Sequence, residues 1–369
     1  MISTGRKNLV STRKTMATRT IFGLGTATIL AFSLSACSNN SNSSDLSSDA
    51  VISTSVGAAP AQASPASEPL AQGMVPAGQL ITQPAAVHAG SVDSGLIATA
   101  GNILAVRTAE GLIIGDTTLS IPSTCGDLNS TGDTFVLSCE EGVYLIDAAD
   151  PSLDNLIEID GGATTAALTS TGDVIAGHKD RGTVTIVHND GSTKTVQIGK
   201  NVDQLISIRA EDSSDPDGVY LIDHSNTTVH QVDWSNDKAG VTLRILSAVG
   251  RLAPAGPNTF IATDAGTNQV YVFSGLPIMM NHQYGVTGKT PWALVWDPNN
   301  EVAWVSTTAD NKVEAYSFAT GTPEKLGEFN AIAHARSLAM DESGNLYVAA
   351  QDSDQIQMLT AEELKQYVS

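Results

Sequence analysis

From about residue 90 onward, short apolar runs alternate with turns built from Gly, Asn and Asp, and no convincing amphipathic helix interrupts them before the last few residues. That pattern predicts an all-β chain. One unit recurs seven times: an apolar strand, a turn, a second apolar strand, a polar loop and a third strand. The second strands are Ile103-Leu104-Ala105-Val106, Phe135-Val136-Leu137, Val174-Ile175-Ala176, Val219-Tyr220-Leu221-Ile222, Phe260-Ile261-Ala262, Val302-Ala303-Trp304-Val305 and Leu346-Tyr347-Val348-Ala349. Their centres lie 32, 39, 46, 40, 43 and 44 residues apart. A period near 40 with several strands per unit is the signature of propeller blades. Third strands follow at matched offsets, as in Val184-Thr185-Ile186-Val187 and Ile356-Gln357-Met358-Leu359, and weaker outer strands such as Leu156-Ile157-Glu158-Ile159 come next. The last repeat lacks an outer strand, because Thr360-Ala361-Glu362-Glu363-Leu364 reads as helix, while an orphan run, Gln79-Leu80-Ile81-Thr82, precedes the first repeat. Pairing the orphan onto the last blade would close a ring without open edges. The expectation is a seven-bladed β-propeller over residues 77–369, closed by an N-terminal strand; six or eight blades fit the same spacing.

This arrangement resembles the YVTN-type and related seven-bladed propellers of bacterial cell envelopes, over about three quarters of the chain. The N-terminus points to the same compartment. Arg6, Lys7, Arg13, Lys14 and Arg19 precede an apolar stretch from Ile21 to Phe32 and then Leu34-Ser35-Ala36-Cys37, the order of a secretory signal. The stretch holds about a dozen residues, short of the roughly 20 that span a bilayer. Small residues before a cysteine resemble the lipobox of lipoproteins, which implies that residues 1–36 are removed and that lipid on Cys37 holds the protein to the outside of a membrane. Met16 to Ala36 already makes a complete signal, so translation from either Met1 or Met16 fits. Residues 37–76, rich in Ser, Asn, Ala and Pro, read as a flexible tether.

Charge narrows the partners. Residues 1–36 hold five of the 19 basic and none of the 39 acidic residues, leaving 14 against 39 beyond them. Such a surface repels nucleic acid and anionic headgroups, and the chain carries no Gly-rich phosphate loop for a nucleotide. A monomer is expected.

Cys125 opens the first strand of the second repeat and Cys139 closes its second strand, with Gly132 at the turn midway between them, so the two should face each other. Outside the cytoplasm facing cysteines oxidise, which favours a disulfide over a thiolate metal site. In a propeller the loops from second to third strands, and those entering first strands, share one face. His178 and His224 occupy equal loop positions in neighbouring repeats on that face, His334 leads into the last repeat, and His88 lies just before the first. Asp264 and Asp352 map to the same loops. Neutral imidazoles with a carboxylate suit zinc, so these six residues are the candidate metal ligands. His188, His230 and His282 map elsewhere and read as structural.

The stretch Cys125-Gly126-Asp127-Leu128-Asn129, with Cys139-Glu140-Glu141-Gly142-Val143, is similar to the paired-cysteine blade of AztD-type zinc metallochaperones. His334-Ala335-Arg336-Ser337-Leu338 and Tyr347-Val348-Ala349-Ala350-Gln351-Asp352 are similar too. The resemblance implies zinc as cargo and a transporter's solute-binding protein as partner. The chain departs from that family at Asn129, where a histidine is expected, and its tether has no His-rich run. A non-enzymatic metal-delivery protein is one reading. A second is a scaffold recognising an envelope protein or polysaccharide through an exposed apolar patch, for which Trp292, Trp296, Met279, Met280 and Tyr284 are the dense source. The third, a propeller hydrolase or lactonase, finds no Gly-x-Ser-x-Gly element and no spaced Glu, Asn and Asp set to support it.

Overall fold

The computed structural model describes residues 68–88, 95–245 and 247–368. Cys37 and the signal segment lie outside them. Seven four-stranded antiparallel sheets form a ring of blades, spanning residues 97–119, 128–158, 165–197, 204–244, 249–286, 291–330 and 335–359. The first strand of each blade lines the central channel, and the fourth lies at the rim.

The seventh blade draws its outer strand from the other end of the chain. Gln79–Thr82 pairs antiparallel with Gln355–Leu359, Gln79 opposite Met358 and Thr82 opposite Gln355. The approach is tight: Gly78 has φ +70°, and a Cβ there would collide with the Met358 carbonyl. The buried Gln357 side chain seals the junction, donating from Nε2 to the carbonyls of Ala77 (2.8 Å) and Asn330 (2.9 Å) and accepting the Ile332 N–H (2.9 Å). The chain then crosses to the first blade, where Val87 donates its N–H to Ser353 O (2.7 Å) and pairs with Thr108. After its last strand the chain enters a short helix, Ala361–Leu364, whose cap, Thr360, exchanges hydrogen bonds with Glu363.

The buried hydrophobic side chains fall into seven clusters, one for each interface between neighbouring blades. Tyr220, Phe260 and Phe273 stack between blades 4 and 5, with centroids 4.5 and 4.8 Å apart. Trp304 and Phe329 fill the gap between blades 6 and 7. A second strand is therefore covered on both faces, and Val302–Thr307 is buried at every position. Two residues expected on an exposed patch belong to this core: Trp292 and Met279 are buried.

Cys125 and Cys139 are joined as a disulfide. Their pairing requires a local irregularity. The hairpin register sets Leu128 opposite Leu137, and continued without interruption it would place Cys125 against Glu140. Instead Ser138 donates to Asp127 O (3.1 Å) and accepts from Gly126 N–H (2.6 Å), so two residues face one. This bulge restores Cys125 opposite Cys139. It also frees the Asp127 N–H to reach Thr164 O of the next blade at 2.7 Å. Only glycine fits at 126, because a Cβ would collide with the Thr164 backbone. Cys125 thus precedes the strand Leu128–Thr131 rather than opening it.

The bridge closes a loop of about 15 residues, which on the chain-entropy model contributes about 3 kcal/mol. Alkylation without reductant, followed by mass spectrometry, is expected to leave both cysteines unmodified, and reduction to lower the melting temperature. Two alkylated cysteines in the exported protein would contradict the bridge.

Candidate functional site

On the histidine face the structure makes pairs. His88 Nδ1 lies 3.5 Å from Asp352 Oδ1. His178 Nδ1 accepts the Asp180 N–H at 3.2 Å, which places the ring proton on Nε2 and leaves no bare nitrogen for a cation. Burial, helped by the nearby Arg181 charge, lowers its pKa and keeps the ring neutral. His224 donates from Nε2 to Gly250 O (3.1 Å), and its Nδ1 faces Asp203 Oδ2 at 3.8 Å. Asp203 in turn accepts the His224 backbone N–H at 2.7 Å. Burial raises the Asp203 pKa, and the charge of His224 opposes that rise.

Asp264 is fully buried and spends its carboxylate on the N–H groups of Ser247, Ala248, Gly266 and Thr267. Its role there is to shape a loop. His334 enters blade 7 with φ +61°. Among the described residues no three His, Cys, Asp or Glu side chains are grouped as a metal site. Of the six candidate ligands, His88 and Asp352 lie side by side, and no third of the six joins them. Asn129 donates to Ala166 O at 2.7 Å, bracing two blades.

The channel carries charge that spacing along the chain does not disclose. Asp127, buried at the head of blade 2, accepts from Gly95 N–H (2.5 Å) and Thr165 Oγ1 (3.3 Å). Across the channel, Arg251 of blade 5 reaches the same carboxylate at 3.2 Å. Arg107 of blade 1 donates to the carbonyls of Cys125 and Gly126. Burial lowers its pKa to about 10 while the Asp127 charge acts the other way, so it stays a cation at neutral pH. The available signal was the presence of Asp127 and Arg251 beside otherwise apolar first-strand runs.

Beyond this crossing lies a cavity of about 510 Å³. Its rim includes Gly101, Gly132, Gly256, Pro298 and Glu342, all from turns between first and second strands, so it faces away from the histidines. Leu128, Ile206, Leu252 and Leu338 contribute apolar wall. The polar side chains Thr99, Asn129, Ser130 and Gln204 each donate to a carbonyl of a neighbouring blade. No His, Cys or Lys is among the described residues lining it.

No family model matches the chain, and no curated protein matches it. Among solved structures it resembles a chain of the mitotic checkpoint complex, at 14% identity and TM-score 0.64, over 81% of this chain and 96% of that one. The propeller domain of Doa1 gives 13% and 0.55, over 75% and 96%. Streptogramin B lyase gives 10% and 0.59, over 76% and 96%. The chain is a seven-bladed β-propeller. At these identities the likeness shows the fold alone.

On the cavity's side of the ring, His188 clasps two blades. Its Nδ1 lies 3.2 Å from Asp173 of blade 3 and its Nε2 2.9 Å from Asp237 of blade 4. The hydrogen bond with Asp237, supported by Asp173, raises its pKa against the effect of burial. A histidine whose folded pKa is raised stabilises fully below its unfolded value, about 6.5, and the contribution is lost as pH rises through the folded value. His188→Gln is therefore expected to lower the melting temperature more at about pH 6 than at about pH 8.5. An equal drop at both would contradict a charged clasp.

Proposed function

We propose that this chain is a lipid-anchored extracytoplasmic binding scaffold without catalysis of its own, which holds a segment of an envelope protein or polysaccharide at the mouth of its channel. The observation that carries this reading is the cavity of about 510 Å³, backed by the Asp127–Arg251 crossing and walled by apolar side chains and braced polar ones. Its shape suits an inserted segment, and the Thr99 and Ser130 hydroxyls within it are engaged with carbonyls of neighbouring blades. The exported, acidic character of the chain adds that the segment is neutral or basic. Zinc delivery, the reading drawn from the AztD resemblance, would require the dispersed histidines to gather.

A photo-crosslinking amino acid at Ser130, inside the mouth, is expected to trap a discrete envelope component in cells; the same probe at His224 is expected to trap none. Fatty-acid labelling of the protein is expected to depend on Cys37. Crosslinks from His224 alone, or zinc binding tighter than tens of micromolar that a His178→Ala, His224→Ala variant loses, would overturn the scaffold in favour of metal delivery. Absence of label in the wild type would contradict the anchor.

A further inference from the structure

We propose that two copies of this chain associate through the outer strand of blade 5. That strand, Met280–Val286, lies at the edge of its sheet, with its far side unpaired. It and the residues entering it expose Ile278 (62%), Met280 (49%), Tyr284 (59%) and Val286 (74%). These are half of the large apolar side chains exposed among the described residues.

Other long outer strands of the ring carry the charges that discourage sheet edges from joining. Blade 4 has Lys238 and Arg244 on its outer strand, and blade 6 has Glu324, Lys325 and Glu328. Blade 5 has only His282. The exception extends beyond the strand: from Ala265 to Trp296 there is no Asp or Glu, in a chain with 39 of them.

The charge pattern selects the occupant. Two copies repel one another wherever acidic surfaces meet, and least where both present this acid-free strip. A strongly basic partner would find nothing here to pair with. A second copy brings the same uncharged, apolar surface, and a two-fold axis lays the strip on itself as an isologous contact. The strip is also held in place before contact, which reduces the ordering cost of association. Tyr284 stacks on Tyr271 at 5.8 Å, and Gln283 Nε2 donates to Phe318 O of blade 6 at 3.3 Å. This contact leaves the channel mouth and the histidine face free, so it does not depend on what either binds.

Cysteine crosslinking in native membranes tests the contact, because Cys125 and Cys139 are already bridged. Under mild oxidation Tyr284→Cys is expected to yield a reducible dimer of this chain. Leu326→Cys, at an exposed position on the outer strand of blade 6, and the unsubstituted chain should give no crosslinked dimer. Adding Val286→Glu to Tyr284→Cys should reduce the dimer at least tenfold, with the Cys125–Cys139 bridge still resistant to alkylation. No dimer from Tyr284→Cys, an equal yield from Leu326→Cys, or a yield unaffected by Val286→Glu would overturn the proposal, as would Tyr284→Cys partitioning only into lipid.

Discussion

The ring rests on a single non-local pairing, that of Gln79–Thr82 with Gln355–Leu359. A propeller sheet that ended at Leu359 would leave the third strand of blade 7 as an exposed edge, and with it the interface between blades 7 and 1. Forming the pairing means closing almost the whole described chain into one loop, an entropy cost that grows only logarithmically with length. What offsets it is concentrated near the junction: four paired residues, the buried Gln357 amide with three backbone partners, and the Val87 crossing to blade 1. The remaining interfaces are local in sequence and share one design, an apolar cluster between two neighbouring blades.

Closure creates a second constraint at the centre. First strands of neighbouring blades converge on the channel but do not pair with one another, so part of their backbone polarity must be satisfied by side chains. Thr99, Asn129, Ser130 and Gln204 meet this need by donating to carbonyls across blade boundaries, and Ser337 and Thr165 by accepting backbone N–H groups. The Asp127–Arg251 pair extends the same logic across the channel. Removing one partner of such a buried pair leaves an uncompensated charge, which is why the crossing ties distant blades together. Polar residues committed in this way are poor candidates for chemistry and good ones for a rigid mouth.

The fold was legible because blade packing writes a coarse pattern. Second strands covered on both faces become unbroken apolar runs such as Val302-Ala303-Trp304-Val305, and these set the repeat. Outer strands, covered on one side, appear only weakly, and Gln79–Thr82 was recognisable as the strand that blade 7 lacked. The site was less legible because equal loop positions in a radial ring are not equal places. His178 and His224 sit alike in their blades, yet each is committed to a different neighbour, Asp180 or Gly250 and Asp203. The bulge at Gly126 and Asp127 shifts the hairpin by one residue, something symmetry about Gly132 could suggest only in outcome. Trp292 and Met279, read as surface, were claimed by interface clusters whose composition depends on blade order. The Asp127–Arg251 contact joins residues 124 apart and has no local signature.

The most direct test of this account follows amide hydrogen exchange at Ile356–Leu359 in a chain beginning at Gly73 and in one beginning at Gly90, which lacks the closing strand. The account predicts protected amides in the first. In the second it predicts faster exchange through this strand and a melting temperature lower by several degrees, or aggregation. Equal protection and equal melting temperature in the two chains would show that the ring closes without Gln79–Thr82 and would contradict the constraint on which the rest depends.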